Sequence, residues 1–346
     1  MDYVNNLFII THTDLDGMGG AAALMRVLNK RPEETTIIFS EPYNVDEALS
    51  GIIDSIKKGD MLALIDIGSN DSNFDNVING LNKILENGGR VQWYDHHIWD
   101  QSKIAKLKSI GVELFIDKST CGTGVVAKYS INIFKSKDDP FLLKLEKAIC
   151  ASDIWKWDDE LGPKLFRATY AKNNQEGREW KMKVIEKFFN GIIWDDELRD
   201  HLNDYLKKEL NGFDSILSTL KTYGNSNKKI AAVYKENDIP SDSLVGAMIL
   251  SREDAAIAVI IKKKSARIVS ISLRSKEKAN VQIIAKEFGG GGHIRASGAI
   301  LRLPFYIYLL SIINKSFLIN YVLKKVYYTG ISLSAFQEIE HETNLE

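Results

Sequence analysis

Residues 7–20 read LFIITHTDLDGMGG, an apolar run that empties into His12, Asp14 and Asp16. Two carboxylates two residues apart repel each other, so their placement beside an imidazole asks for a positive partner. Hard oxygen ligands with one or two imidazoles suit Mn2+ or Mg2+ better than a zinc ion held by thiolates. The pattern recurs at Asp66, which follows MLALI, and at Asp95, His96 and His97, which follow RVQWY. Two such ions about 4 Å apart clamp the attacking and leaving oxygens of an in-line phosphoryl displacement and acidify the water between them. A carboxylate such as Asp66 could bridge both. Each segment alone has an ordinary alternative. Asp-x-Asp is commonly a turn or a helix cap, and Asp16 could cap a helix that starts at Met18. Asp66 could cap the turn after its strand, and one member of a His-His pair commonly faces solvent. Three such groups at three strand ends are harder to attribute to capping.

The elements that must position them follow from periodicity. Leu7–Ile10, Thr36–Phe39, Met61–Ile67, Arg90–Tyr94 and Val112–Ile116 read as strands, and helices are expected near Met18–Leu28, Phe74–Glu86, Gly122–Phe134 and Phe141–Ala151. Strand alternating with helix predicts right-handed crossovers and a parallel sheet. Ligands bind beyond the carboxyl ends of such strands, so the acidic and histidine residues should gather on one rim. Charged residues with interspersed leucines over 195–223 predict a helical connector. A second, smaller α/β unit follows, with strands over Lys229–Lys235, Ala255–Ile261 and Arg267–Leu273 and helices near Ser243–Leu250 and Val281–Phe288; it ends in GGGGHIRASGA, residues 289–299. The expected division is 1–194, a connector 195–227, a second domain 228–303 and an apolar tail 304–346. In that tail the apolar stretch Phe305–Leu323 is broken by Ser311, Asn314, Lys315, Ser316 and Asn320. A span wants roughly 20 nearly uninterrupted apolar residues, so a packed or interface helix is expected rather than membrane contact. The terminal Leu345-Glu346 could be a cloning scar.

At 346 residues, two domains are the prior. Lys+Arg of 45 against Asp+Glu of 46 argues against coating long nucleic acid by bulk charge, while a local basic groove stays open. Two cysteines, Cys121 and Cys150, are too few for a disulfide scaffold and fit a reducing cytosol. No basic-then-apolar leader precedes the first strand, so a cytoplasmic protein is expected.

HTDLDG, LIDIG, YDHH, ASDIWKWD and FGGGGHIRASG together resemble, in order and spacing, the DHH phosphoesterase superfamily. That group includes RecJ-type exonucleases, oligoribonucleases, cyclic-dinucleotide phosphodiesterases and exopolyphosphatase relatives. The likeness covers about residues 7–303, and STCGTGVVAKY and SDIWKWDDE look most like the NrnB-type oligoribonuclease branch. The resemblance implies that His12 and Asp14 hold one manganese ion, that Asp66 reaches both ions, and that Asp16, His96 and Asp153 complete the second. It alone promotes Asp153. It gives Asp95 the role of orienting a neighbouring histidine. His97 would lie near the scissile phosphate, stabilising charge or protonating the leaving group. In the second domain, Gly290, Gly291 and Gly292 would bring backbone N–H groups to a phosphate, with His293 as a donor beside them and Arg274 as a bidentate phosphate contact. A flexible loop and an idle strand-end arginine are the ordinary alternatives. Arg295 departs from the small residue the family has there. Trp155 and Trp157 read as packing residues, with base stacking as the alternative.

The leading expectation is a manganese-dependent phosphodiesterase trimming short RNA to nucleoside monophosphates, the substrate lying between the two domains. Hydrolysis of cyclic or linear dinucleotides, pAp phosphatase activity and a RecJ-like single-strand exonuclease are the enzymatic alternatives. A pyrophosphatase fits the glycine-histidine motif less well. A nucleotide-sensing module without chemistry is the non-enzymatic alternative, against which every expected ligand position is filled. A homodimer is a candidate assembly.

Overall fold

The computed structural model of the protein describes residues 4–134, 139–225, 228–276 and 279–336; Leu345-Glu346 lies outside them. It divides into two compact units, Met1–Asp204 and Tyr205–Glu346.

The first unit runs β1 (Leu7–Thr11), α1 (Leu15–Leu28), β2 (Thr35–Phe39), α2 (Val45–Ser50), β3 (Met61–Ile65), α3 (Phe74–Glu86), β4 (Arg90–Asp95), α4 (Gln101–Ser109), β5 (Glu113–Ile116), α5 (Gly122–Phe134), α6 (Pro140–Asp153), α7 (Gly162–Ala168) and α8 (Gln175–Phe189). The strands form one parallel sheet in the order β2-β1-β3-β4-β5. Their runs are apolar throughout because both faces are covered. Leu7, Ile9, Ala63, Ile65 and Tyr94 point to a core shared with α1, α5, α6 and α8. Phe8, Ile10, Leu62, Leu64, Val91 and Trp93 point to the opposite core, with α3. Strand order reverses direction beside β1, so β1 and β3 open a crevice at their carboxyl ends.

Close helix packing on the first face depends on small residues. A Cβ on Gly19 of α1 would lie 2.2 Å from Ile149 and 2.5 Å from the Thr123 hydroxyl. That proximity of α1, α5 and α6 brings Cys121 and Cys150 together. They are joined by a disulfide with Cα atoms 5.1 Å apart, a bond not anticipated by the reading that two cysteines are too few for a disulfide scaffold and fit a reducing cytosol.

The expected connector is α9 (Asp196–Leu217), one helix within which the two units divide. The second unit continues with β6 (Lys221–Tyr223), β7 (Ile230–Tyr234), α10 (Asp242–Arg252), β8 (Ile257–Lys263), β9 (Ile268–Ser275), α11 (Val281–Glu287), β10 (Gly291–Gly292), β11 (Ala296–Arg302), α12 (Phe305–Ile313) and α13 (Lys315–Ser332). Its sheet, ordered β10-β11-β9-β8-β7-β6, is antiparallel except for the β7–β8 pair. Val245 and Ile249 of α10 cover one face, and α11 and α13 the other. Residues 305–336 are therefore part of this unit. Leu318, Ile319, Val322, Leu323 and Val326 of α13 fill its core. Among the described residues no helix is long and apolar enough to cross a membrane.

Candidate metal centre

The rim predicted from strand ends exists, and each side chain reaches it for a local reason. Strand β1 ends at Thr11, and the chain turns straight into α1. Asp14, not Asp16, caps that helix: its side chain accepts the Gly17 N–H at 3.1 Å. Gly17 cannot carry a side chain, since a Cβ would stand 2.4 Å from the His12 carbonyl oxygen. Asp16, in the first turn, turns to another helix start. Its two carboxylate oxygens accept the Gly122 and Thr123 N–H groups at 2.6 and 2.8 Å. The N-terminus of α5 thus holds Asp16 by two aligned donors and its helix dipole. Asp66 follows β3 in the left-handed region, φ +56°, a conformation aspartate tolerates better than most residues.

The side chains then converge. His12 Nδ1 lies 2.9 Å from Asp14 Oδ2 and 3.5 Å from Asp66 Oδ2. His96 Nε2 lies 3.4 Å from Asp66 Oδ1, 3.5 Å from Asp153 Oδ2 and 3.8 Å from Asp16 Oδ2. Two oxygens of one carboxylate, Asp66, therefore face two different ligand sets. Nitrogen and oxygen atoms of His12, Asp14 and Asp66 all fall within 4.8 Å of one another, as do those of Asp16, His96 and Asp153, and of Asp66, His96 and His97. Asp153 Oδ2 is buried without a hydrogen-bond partner, a costly state for a polar atom that a cation would relieve. The residues present fit a divalent ion in each of the first two sets.

Electrostatics point the same way. Burial and the nearby Asp66 charge push Asp16 up to about 7. Burial also raises Asp153 well above the usual carboxylate range, helped by Asp16 and Asp66. Burial would lower the His96 imidazole, but its bond to Asp66 and the charges of Asp16 and Asp153 hold it up at about 10. The ion-free centre thus keeps protons at neutral pH that a cation must displace. Apparent Mn2+ or Mg2+ affinity should strengthen from about pH 6, through the Asp16 value, and keep rising toward pH 10 as His96 loses its proton, with proton release on binding. Calorimetric titration in buffers of different ionisation enthalpy measures both, and an affinity independent of pH would contradict the ligand assignment.

Asp95 is fully buried. One oxygen pairs with His97 Nδ1 at 2.7 Å and the other accepts the Trp99 indole N–H at 2.5 Å. Burial opposes ionisation of Asp95, yet the His97 ring and the Trp99 bond hold its carboxyl below the ordinary value. Burial would lower His97 in turn, and the Asp95 charge raises it. Asp153 closes the C-terminal end of α6 and joins the group from outside the sheet. Sequence reasoning missed Glu41, which follows β2 and meets His12 Nε2 at 3.2 Å, and it missed the α5 N-terminus that holds Asp16. A carboxylate just past a fourth strand end was the available signal.

In the second unit, Arg274 of β9 pairs in register with Ala296 of β11, beside the hairpin of the glycine run. Its guanidinium donates to the Ser243 hydroxyl and the Leu273 carbonyl, both at 3.0 Å. A Cβ on Gly246 would lie 2.6 Å from the Arg274 side chain. The expected glycine cradle is narrower than its sequence suggested. The Gly290 N–H is spent on the Ala285 carbonyl at the end of α11, so it is no donor to a phosphate. A Cβ there would also stand 2.0 Å from the Gly298 oxygen, so packing accounts for Gly290. Gly291 and Gly292 form β10, and His293 follows at the exposed tip of the hairpin.

Comparison with known proteins agrees with this architecture. Residues 6–151 match the model of the DHH family, N-terminal domain, and residues 226–312 match the DHHA1 domain. No curated protein sequence matches significantly. Among solved structures, RecJ from Thermus thermophilus in complex with Mn2+ is similar over 94% of this chain and 52% of its own, at TM-score 0.57 and 15% identity. An exopolyphosphatase-related protein from Bacteroides fragilis is similar over 92% and 94%, at 0.55 and 16%. A pGpG-specific phosphodiesterase from Vibrio cholerae is similar over 94% and 100%, at 0.54 and 13%. At these identities the likeness concerns the fold. With both domain models matched in order, the chain belongs to the DHH superfamily of phosphoesterases, a DHH domain followed by a DHHA1 domain.

Proposed function

We propose that the protein is a manganese-dependent phosphodiesterase that hydrolyses short oligoribonucleotides to nucleoside monophosphates with two metal ions. The observation that carries this reading is the split Asp66 carboxylate, one oxygen toward His12 and the other toward His96. His12, Asp14 and Asp66 would hold one ion, and Asp16, His96, Asp153 and Asp66 the other. When bound, such ions supply charge neutralisation at the phosphate and a water of lowered pKa. The chain's own groups do the rest. Asp95 fixes the His97 ring through Nδ1 and so orients the imidazole for proton transfer to the leaving oxygen. In the second unit, Arg274, held by Ser243 and the Leu273 carbonyl, is a guanidinium suited to a phosphate.

Trp155 supports a nucleotide substrate. It stands two residues beyond Asp153, in the left-handed region at φ +58°, 41% exposed, and braced edge to face on Trp157 at 5.0 Å. A strained, exposed indole beside a ligand residue offers a face on which a base can stack. The near-balance of 45 basic and 46 acidic residues suits substrates with few phosphates.

A Mn2+-dependent assay across pNpN, a five-mer, a 24-mer, pAp and cyclic dinucleotides tests the proposal. Highest kcat/KM is expected on the dinucleotide and the five-mer. Preference for the 24-mer, for pAp or for a cyclic dinucleotide would replace it with the corresponding alternative. Nucleotide binding without turnover would mean a sensor.

A further inference from the structure

Three strand ends carry the groups already described; the fourth, β2, ends in Ser40-Glu41, and nothing so far uses it. The parallel pairing of β1 with β2 sets Thr11 against Phe39, and Ser40 continues the ladder by donating its N–H to the Thr11 carbonyl at 2.9 Å. Glu41 therefore emerges beside His12. A turn fixes its backbone, the Glu41 N–H donating to the Asn44 side-chain oxygen at 2.8 Å. Its carboxylate is held at both oxygens: Oε1 accepts the Thr13 hydroxyl at 2.7 Å, and Oε2 meets His12 Nε2 at 3.2 Å.

The two ring nitrogens of an imidazole point in opposite directions. Glu41 lies on Nε2, while Nδ1 faces the Asp14 and Asp66 carboxylates. Glu41 is thus across the ring from the cation site, outside each group of residues whose ligand atoms converge. A neutral imidazole binds a metal through one nitrogen and carries its proton on the other, and the partner of that proton sets which nitrogen is which. We propose that Glu41 is a positioning residue: its carboxylate accepts a hydrogen bond from the Nε2–H of His12, keeps the proton on that nitrogen and so presents the Nδ1 lone pair to the cation shared with Asp14 and Asp66. Lys181 of α8, only 3% exposed, is near enough for its charge to interact with that of Glu41. Its ammonium bonds Asn173 at 2.6 Å and lies 5.7 Å from the centre of the Phe39 ring.

The inference rests on His12 being a ligand, and its test reads metal affinity rather than turnover. Mn2+ titration of the full chain at fixed pH, followed by calorimetry and by the electron paramagnetic signal of free Mn2+, compares wild type, E41A, E41Q, H12A and E33A. Outer partners of ligating histidines typically contribute 10–100-fold in metal affinity, so E41A should weaken one of two binding events by about that factor and spare the other. E41Q should keep much of the affinity, because an amide oxygen still accepts from Nε2. E33A removes an exposed carboxylate ahead of β2 and should change nothing. Unchanged Mn2+ binding in E41A, with H12A weakened, would overturn the role of Glu41. Unchanged binding in H12A would overturn the ligand assignment as well. Equal weakening by E41A and E33A would reduce the effect to bulk charge. Should E41A fail to fold, T13V, which strips the hydroxyl holding Oε1, carries the same comparison beside E41Q.

Discussion

Asp66→Asn is expected to abolish turnover and leave the fold intact. Asparagine is the informative replacement because position 66 has φ +56°, where asparagine is tolerated and alanine would add strain of its own. The amide has the size of the carboxylate but lacks the charge that faces both ligand sets. Losing charge stabilisation worth several kcal/mol at the phosphoryl oxygens should lower kcat by at least ~10³-fold on a dinucleotide. Near-UV circular dichroism and Tm check the fold. A kcat within about tenfold of wild type would refute the two-ion scheme, since each tenfold is worth only about 1.4 kcal/mol.

His97→Ala has the next largest expected effect. A positioned general acid contributes about 10²–10⁴-fold, so kcat should fall by that factor on substrates with a ribose leaving group. A nitrophenyl phosphodiester leaves as a stable anion and needs no proton, so its hydrolysis should fall far less. That contrast separates proton donation from a structural role. Asp95→Asn gives the linked pH result. The Asp95 charge raises the His97 pKa against the effect of burial, so removing it lowers that pKa. The protonated ring is then lost at lower pH, and the alkaline limb of the rate profile should move toward acid. An alkaline limb that stays in place would assign it to another group.

The rim was legible in the sequence because its residues end apolar strands. A run such as MLALI before Asp66 identifies both the strand and the place where its ligand must sit. Asp153 was not legible this way. It closes a helix, α6, and nothing in SDIWKWDD separates it from a helix end beside tryptophans; only the family resemblance singled it out. Glu41 was hidden for a different reason. Strand β2 lies at the edge of the sheet, with TTIIF only partly buried, so its end drew less attention than the three fully apolar runs. The cysteine pair escaped because its two halves are 29 residues apart and meet only when α1, α5 and α6 close on small residues. In the second unit, four glycines read as one phosphate loop, whereas the fold divides them. Gly289 and Gly290 finish α11, and Gly291 and Gly292 begin a hairpin. Backbone donors look alike in sequence, and only their partners tell a cap from a cradle.

Anomalous scattering at the manganese edge, from crystals soaked in Mn2+, would show whether Asp66 is shared by two cations. Two peaks about 4 Å apart are expected, one bounded by His12 and Asp14, the other by Asp16, His96 and Asp153, with Asp66 reaching both. A single peak, or ions bound away from Asp66, would contradict that sharing.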